Sequence, residues 1–159
     1  MEQPPASPLT ELEKVWLAAM IDGEGSVGIY RSKRANHKYG YRWSTTVSIT
    51  NTNKDLMDRF AELSDCWVSR RRVNGGSAKN RPIHCVEIRY TNTRGFLEQI
   101  LPYLIAKTKQ AELVIDFCNM VRGPGQRYQD PQKMDQMYLR SRELNHRGTK
   151  PLEVEPATF

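Results

Sequence analysis

No stretch of this 159-residue chain approaches the roughly 18 to 20 continuous apolar residues that a membrane-spanning helix requires, so no transmembrane segment is expected. Cysteine is scarce: Cys66, Cys85 and Cys118 are an odd number, far apart, with no CxxC pair and no histidine at zinc-finger spacing. That excludes a disulfide scaffold and a zinc finger, and predicts reduced, buried thiols in an intracellular protein. Met1 to Thr10 holds Pro4, Pro5 and Pro8 but neither a basic start nor an apolar run, which argues against a secretory signal or transit peptide and predicts a short disordered lead. P-loop and dinucleotide-binding glycine patterns are missing too, since Gly75-Gly76 reads as a turn. His37, His84 and His146 stand without partners at metal or triad spacing and read as surface or structural residues.

Acid is in deficit: 18 Asp and Glu face 24 Lys and Arg, a net charge of +6, which suits a polyanionic partner. Near the N-terminus the sign is reversed, with Glu2, Glu11, Glu13, Asp22 and Glu24 against Lys14, whereas the stretch from Arg31 to Arg94 is strongly basic. A charge run is most often a solvated face, so its placement on the fold decides its meaning. The length predicts one domain with one site.

The order of elements reads α-β-β-α-β-β-α-α, without an internal repeat. Thr10 to Ile21 predicts a helix: Thr10 and Glu13 form a capping box, Leu12, Val15, Trp16 and Ala19 share a face, and Gly23 and Gly25 stop it. From Ser26 the period changes to alternation, with Val27 and Ile29 on one side. After a polar turn, Tyr41 to Asn51 alternates again, Trp43, Thr45, Val47 and Ile49 facing inward. Lys54 to Leu63 is a second helix. Cys66 to Val73 and Ile83 to Tyr90 are strands separated by the Asn74-Gly75-Gly76 turn. Helical periodicity returns at Phe96, is interrupted at Pro102 and resumes from Lys107 to Val121. Residues 1–9 are thus a lead, 10–122 the main domain, 123–145 a Gly123-Pro124-Gly125 linker and a helix from Pro131 to Leu144, and 146–159 a disordered tail.

Four antiparallel strands with helices on one face make an α+β domain whose other sheet face is free. The alternation places Tyr30, Ser32 and Arg34 of the first strand on that face, with Arg42, Ser44, Thr46 and Ser48 of the second. Ser69 and Arg71 of the third and Glu87 and Arg89 of the fourth complete it. Hydroxyls and guanidinium groups projecting at period two suit base edges and phosphates in a major groove, which is wide enough for a β-ribbon.

The chemistry concentrates in Leu17-Ala18-Ala19-Met20-Ile21-Asp22-Gly23-Glu24-Gly25-Ser26-Val27. Small Ala18 and Ala19 allow another backbone to approach closely. At the helix end, unsatisfied carbonyls add negative potential, so the Glu24 carboxylate and the Gly23 carbonyl can together hold a hard divalent cation. The segment resembles the LAGLIDADG motif of homing endonucleases and related maturases. Leu101-Pro102-Tyr103-Leu104-Ile105-Ala106-Lys107-Thr108-Lys109-Gln110-Ala111 is similar to the stretch before that family's later helix, and Ile49-Thr50-Asn51-Thr52-Asn53-Lys54 to the end of its second strand.

The resemblance covers roughly Leu12 to Val121 and implies the family's αββαββα core with a saddle-shaped sheet over DNA. It assigns metal binding to Glu24 and Gly23, a phosphate-side role to Lys107, water ordering to Asn51 and a supporting place beside them to Asp22. It also implies a homodimer through the helix from Leu17 to Gly25, because one motif supplies one carboxylate and two strands need two centres. The implied activity is metal-assisted hydrolysis of one phosphodiester per strand in a pseudo-palindromic duplex, leaving 3′ overhangs. Mg²⁺ is the expected metal, and Mn²⁺ suits the same oxygen ligands. An RNA maturase or a non-cleaving DNA-binding regulator is the alternative on the same fold. Ala19 replaces the motif's usual glycine, and Glu24 stands where many members have aspartate.

Overall fold

A computed structural model describes residues 8–36, 38–71, 82–88, 90–121, 130–146 and 154–157. In chain order these form α1 (Glu11–Glu24), β1 (Gly25–Lys33), β2 (Tyr41–Asn51), α2 (Lys54–Leu63) and β3 (Val68–Arg71). β4 (Ile83–Glu87), α3 (Tyr90–Ile100), a 3-10 turn (Leu101–Tyr103), α4 (Thr108–Met120) and α5 (Pro131–Asn145) follow. The four strands make one antiparallel sheet in the order β1-β2-β4-β3, as the alternating patterns predict. No helix of the described residues is long and apolar enough to cross a membrane.

The capping box at the start of α1 is formed: Glu13 N–H donates to Thr10 Oγ1 at 3.3 Å, and Thr10 N–H donates to the Glu13 carboxylate at 2.9 Å. That backbone donor, with the Thr10 hydroxyl, holds the Glu13 carboxyl below its ordinary range. The helix does not stop at Gly23. It runs to Glu24, and Gly25 ends it: a Cβ there would lie 2.7 Å from the Ile21 carbonyl oxygen, so the tight step from helix to strand needs glycine. Leu12, Val15 and Ala19 do share a face, but it points outward, while Leu17, Ala18 and Ile21 are fully buried. Helix α1 is therefore apolar on two sides, only one of which its own fold covers.

The inward face of the sheet carries Val27, Ile29, Trp43, Val47, Ile49 and Val86, all buried against Met57, Phe60, Phe96, Leu97, Ile100, Val114 and Phe117 of the helices. Phe60 lies at the middle of this layer, with ring centroids 6.2 Å from both Trp16 and Phe96. Strand boundaries depart from expectation on the far side of the sheet. β3 begins at Val68, not Cys66, because Asp65 turns with φ 51° and Cys66 N–H still bonds back to the Ala61 carbonyl. β4 ends at Glu87, and Tyr90, expected in that strand, opens α3. The Asn74-Gly75-Gly76 turn and the Gly123-Pro124-Gly125 linker lie outside the described residues.

Among the thiols, Cys85 is buried as expected, whereas Cys66 and Cys118 are only half-buried. Desolvation pushes the Cys118 thiol up to about 11, which keeps it protonated and poorly nucleophilic at neutral pH.

Helix α5 lies along β1, the edge strand. Ser141 Oγ accepts from Ile29 N–H at 2.8 Å, and Asn145 Nδ2 donates to the Val27 carbonyl at 2.9 Å, so side chains of the helix satisfy the groups a further strand would use. Close contact is allowed by Gly28, where a Cβ would lie 2.9 Å from Ser141 Oγ. A disordered tail is the expectation from sequence, yet two of its residues bond to the domain: Glu155 O accepts from Arg31 at 2.7 Å, and Ala157 N–H donates to Asp135 at 2.8 Å.

Candidate active site and nucleic-acid interface

The end of α1 meets the start of α4 through reciprocal bonds. The Asp22 carboxylate accepts N–H groups of Ile105 (2.7 Å), Ala106 (3.2 Å) and Lys107 (2.9 Å), which lead into α4. In return, Lys107 Nζ donates to the Asp22 carbonyl oxygen at 2.5 Å, placing a cation on the C-terminal carbonyls of α1. Lys107 is 4% exposed. Asp22 is thus engaged by three backbone donors, which tie the end of α1 to the start of α4. Hydrogen bonds to charged acceptors contribute about 1.5 to 3 kcal/mol when deeply placed. For this half-buried group, Asp22→Ala is expected to cost about 2 to 3 kcal/mol in urea unfolding, with Asp22→Asn recovering part of it. A loss below about 0.5 kcal/mol for Asp22→Ala, within the range of an ordinary surface change, would mean that the clasp contributes nothing.

Glu24 lies two residues beyond Asp22, is exposed, and makes no hydrogen bond or ion pair among the described residues. Gly23 before it is exposed, with nothing within 4 Å of a Cβ built on it. No group of three or more His, Cys, Asp or Glu able to hold a metal exists among the described residues. Among the described residues, this helix end thus offers a cation the Glu24 carboxylate and backbone carbonyls. Asn51 ends β2 beside this region, since Gly25 is opposite Ile49 in the β1–β2 register. Its side-chain oxygen Oδ1 accepts from Asn53 N–H at 2.9 Å and so shapes the turn into α2.

Most of the sheet-face residues predicted to meet DNA lie where expected. Tyr30 is opposite Ser44, Ser32 opposite Arg42, and Ser48 opposite Glu87, all on the side away from the helices, as is Thr46 opposite Gly28. Tyr30 is 58% exposed. Ser69 shares that face, its hydroxyl donating to the Cys85 carbonyl at 3.1 Å. Arg34 lies just past the end of β1 in the hairpin turn, not on the strand, its N–H bonded to the Gly40 carbonyl. Arg71 occupies the register position opposite Ile83, its side chain lying outside the description, and Arg89 is outside the described residues.

The basic run from Arg31 to Arg94 is partly spent inside the protein. Arg31 pairs with buried Asp135 at 2.6 Å and lies over the rings of Tyr41 and Tyr138, with centroids at 4.9 and 4.6 Å. Lys54 pairs with Asp58, Arg59 with Glu13 and Glu62, and Arg94 with Glu98. Arg34 and Arg42 keep no ion pair among the described residues, so the uncompensated charge is at the hairpin end of the free face. Sequence reasoning missed Ser26, Arg142 and Asn145, which border this face where α5 overhangs β1. Gly28 inside a strand was the signal that a neighbour approaches closely.

The DNA endonuclease I-CvuI of Chlorella vulgaris is 31% identical over 107 residues, 66% of this chain and 63% of that protein, so the chain spans about 63% of the length of this curated relative. Among solved structures, I-CvuI in complex with its target in the presence of Ca matches with TM-score 0.70 and 20% identity, over 89% of this chain and 87% of that one. This alignment covers more of the chain than the sequence match, and its identity is lower. The archaeal intron-encoded homing endonuclease I-Vdi141I, complexed with DNA, matches with TM-score 0.71 and 14% identity over 90% of each chain. No protein-family model matches the chain.

Proposed function

We propose that the chain is a LAGLIDADG homing endonuclease, a site-specific, metal-dependent DNA endonuclease that binds duplex DNA as a homodimer and hydrolyses one phosphodiester in each strand. The observation that carries this reading is the Glu24 carboxylate, free at the end of a helix whose final carbonyls hold buried Lys107. A binder that does not cut requires neither feature. Glu24 and the Gly23 carbonyl would hold Mg²⁺ or Mn²⁺, with remaining ligands from a second protomer and from phosphate oxygens. Such a cation supplies Lewis-acid stabilisation of charge on the phosphodiester. The chain's own part is to hold the Lys107 ammonium beside that centre, where it offsets the negative charge that grows on phosphorus oxygens. Asn51 is suited to ordering water at the same end of the sheet.

Dimerisation through α1 is supported by the outward face of that helix, where Leu12 is 82% exposed and Val15 45%, followed by small Ala19 and Gly23. Two-fold pairing of this face would bring two Glu24 side chains together, a repulsion that bound cations relieve. The sheet faces would then span a pseudo-palindromic site, with Tyr30, Ser32, Arg42, Ser44, Thr46 and Ser48 meeting the major groove and 3′ overhangs as the product. The experiment is cleavage of a randomised duplex library with Mg²⁺ and with EDTA. Recovery of one pseudo-palindromic sequence cut in both strands only with metal is expected. Wild-type protein that selects a duplex but never cuts it would make the chain a DNA-binding regulator, and selective binding of structured RNA alone would make it a maturase.

A further inference from the structure

Where α5 overhangs β1, an open cavity of about 390 Å³ faces the same side as the free sheet surface. The sheet contributes the hydroxyls of Ser26, Tyr30 and Thr46, α4 contributes its N-cap Lys107, and α5 contributes Arg142 and Asn145. Among the described residues, no aspartate or glutamate lines it. The Asn145 amide nitrogen is already committed to the carbonyls of Val27 and Ser141, so the donors left for a ligand are the hydroxyls and the guanidinium of Arg142. Arg142 is exposed and makes no ion pair among the described residues, whereas Arg140, two positions earlier on the same helix, is bound to Glu143 at 2.8 Å. A concave site with hydroxyl donors, a planar cation and no acid matches a singly charged oxyanion with several acceptor oxygens.

We infer that this cleft seats a backbone phosphate of duplex DNA, with Arg142 as its charged partner and Ser26 and Tyr30 as hydroxyl donors. The inference rests on the nuclease reading above. Lys107 opens on the same cavity, so the phosphate held by Arg142 adjoins the reacting centre, and the strand is registered there from the C-terminal helix as well as from the sheet. The competing role for Arg142 is local: it lies in the last turn of α5, where a cation complements the helix carbonyls.

Salt dependence separates the two roles. Binding of a duplex recovered from the library is measured with Ca²⁺ over a range of KCl concentrations. Arg142→Gln is expected to weaken it roughly tenfold, as for loss of a contact worth one decade of affinity. The slope of log K against log salt should fall in magnitude by about 0.9 per protomer. Arg142→Lys keeps a point charge and should restore the slope, and Arg140→Gln should leave it unchanged. A lowered melting temperature in Arg142→Gln with an unaltered slope would assign Arg142 to the helix end and overturn the phosphate seat. An unaltered slope with wild-type affinity and cleavage would do the same while leaving the nuclease reading intact, and failure of the wild-type protein to bind any duplex would remove both.

Discussion

Glu24→Gln is expected to bind its duplex within about threefold of wild type in Ca²⁺ while cutting it at least about a thousandfold more slowly in Mg²⁺, since a metal centre supplies several kcal/mol of transition-state stabilisation and each 1.36 kcal/mol is a decade of rate. The substitution removes charge without changing shape. Glu24 is exposed and makes no bond within the described fold, so the folded chain has nothing to lose by it, and thermal unfolding should be unchanged. Glu24→Asp retains the charge on a shorter arm and should keep measurable cleavage. Single-turnover gel assays with saturating protein separate the chemical step from binding. A Glu24→Gln protein that cuts at the wild-type rate would move the metal site elsewhere and remove the central claim about α1.

The second large effect is expected at Ala19. Its side chain is exposed on the outward face of α1, between Val15 and Gly23, so Ala19→Glu should leave the folding of each chain nearly unchanged. In a two-fold helix pairing it would set two new carboxylates against each other in a tight crossing. Like charges juxtaposed at an interface cost several kcal/mol, which corresponds to more than about a hundredfold in dimer affinity. Sedimentation velocity should show a monomer where wild type is a dimer, with double-strand cleavage lost. Gly23→Ala offers the opposite balance, because a Cβ there meets nothing among the described residues and alanine is favoured over glycine inside a helix by about 0.5 to 1 kcal/mol. Each Gly23→Ala chain should be more stable alone, yet pair less well. A wild-type protein that stays monomeric at all concentrations and still cuts both strands would refute this arrangement.

Much of the fold was legible because its signals are local. Among the described residues, periods of two and of three to four located the four strands and the helices α1 to α4, though not the 3-10 turn at Leu101–Tyr103, and the Val47/Ile49 alternation assigned the inner and outer faces of β2 correctly. The motif at Leu17 to Val27 pointed to the end of α1, where the structure has a free Glu24 beside the Asp22–Lys107 clasp. What escaped was decided by partners distant in sequence. Arg31 reads as one more cation of a basic stretch, but Asp135, 104 residues away, takes its guanidinium into the fold. Gly23 and Gly25 look equivalent as helix stops, and only the closeness of the Ile21 carbonyl selects the second. Likewise, the outward aim of Leu12, Val15 and Ala19 follows from which side of α1 the sheet covers, which periodicity alone does not state.

The occupied rim of β1 also limits how copies of this protein can join. With Ile29 N–H taken by Ser141 and the Val27 carbonyl by Asn145, that side of the sheet offers no open ladder onto which a neighbour could add a strand. Strand addition from a neighbouring molecule is thereby blocked at the Val27 to Ile29 stretch of β1. A neighbouring molecule that approaches this flank meets the side chains of α5 where it would otherwise find open backbone.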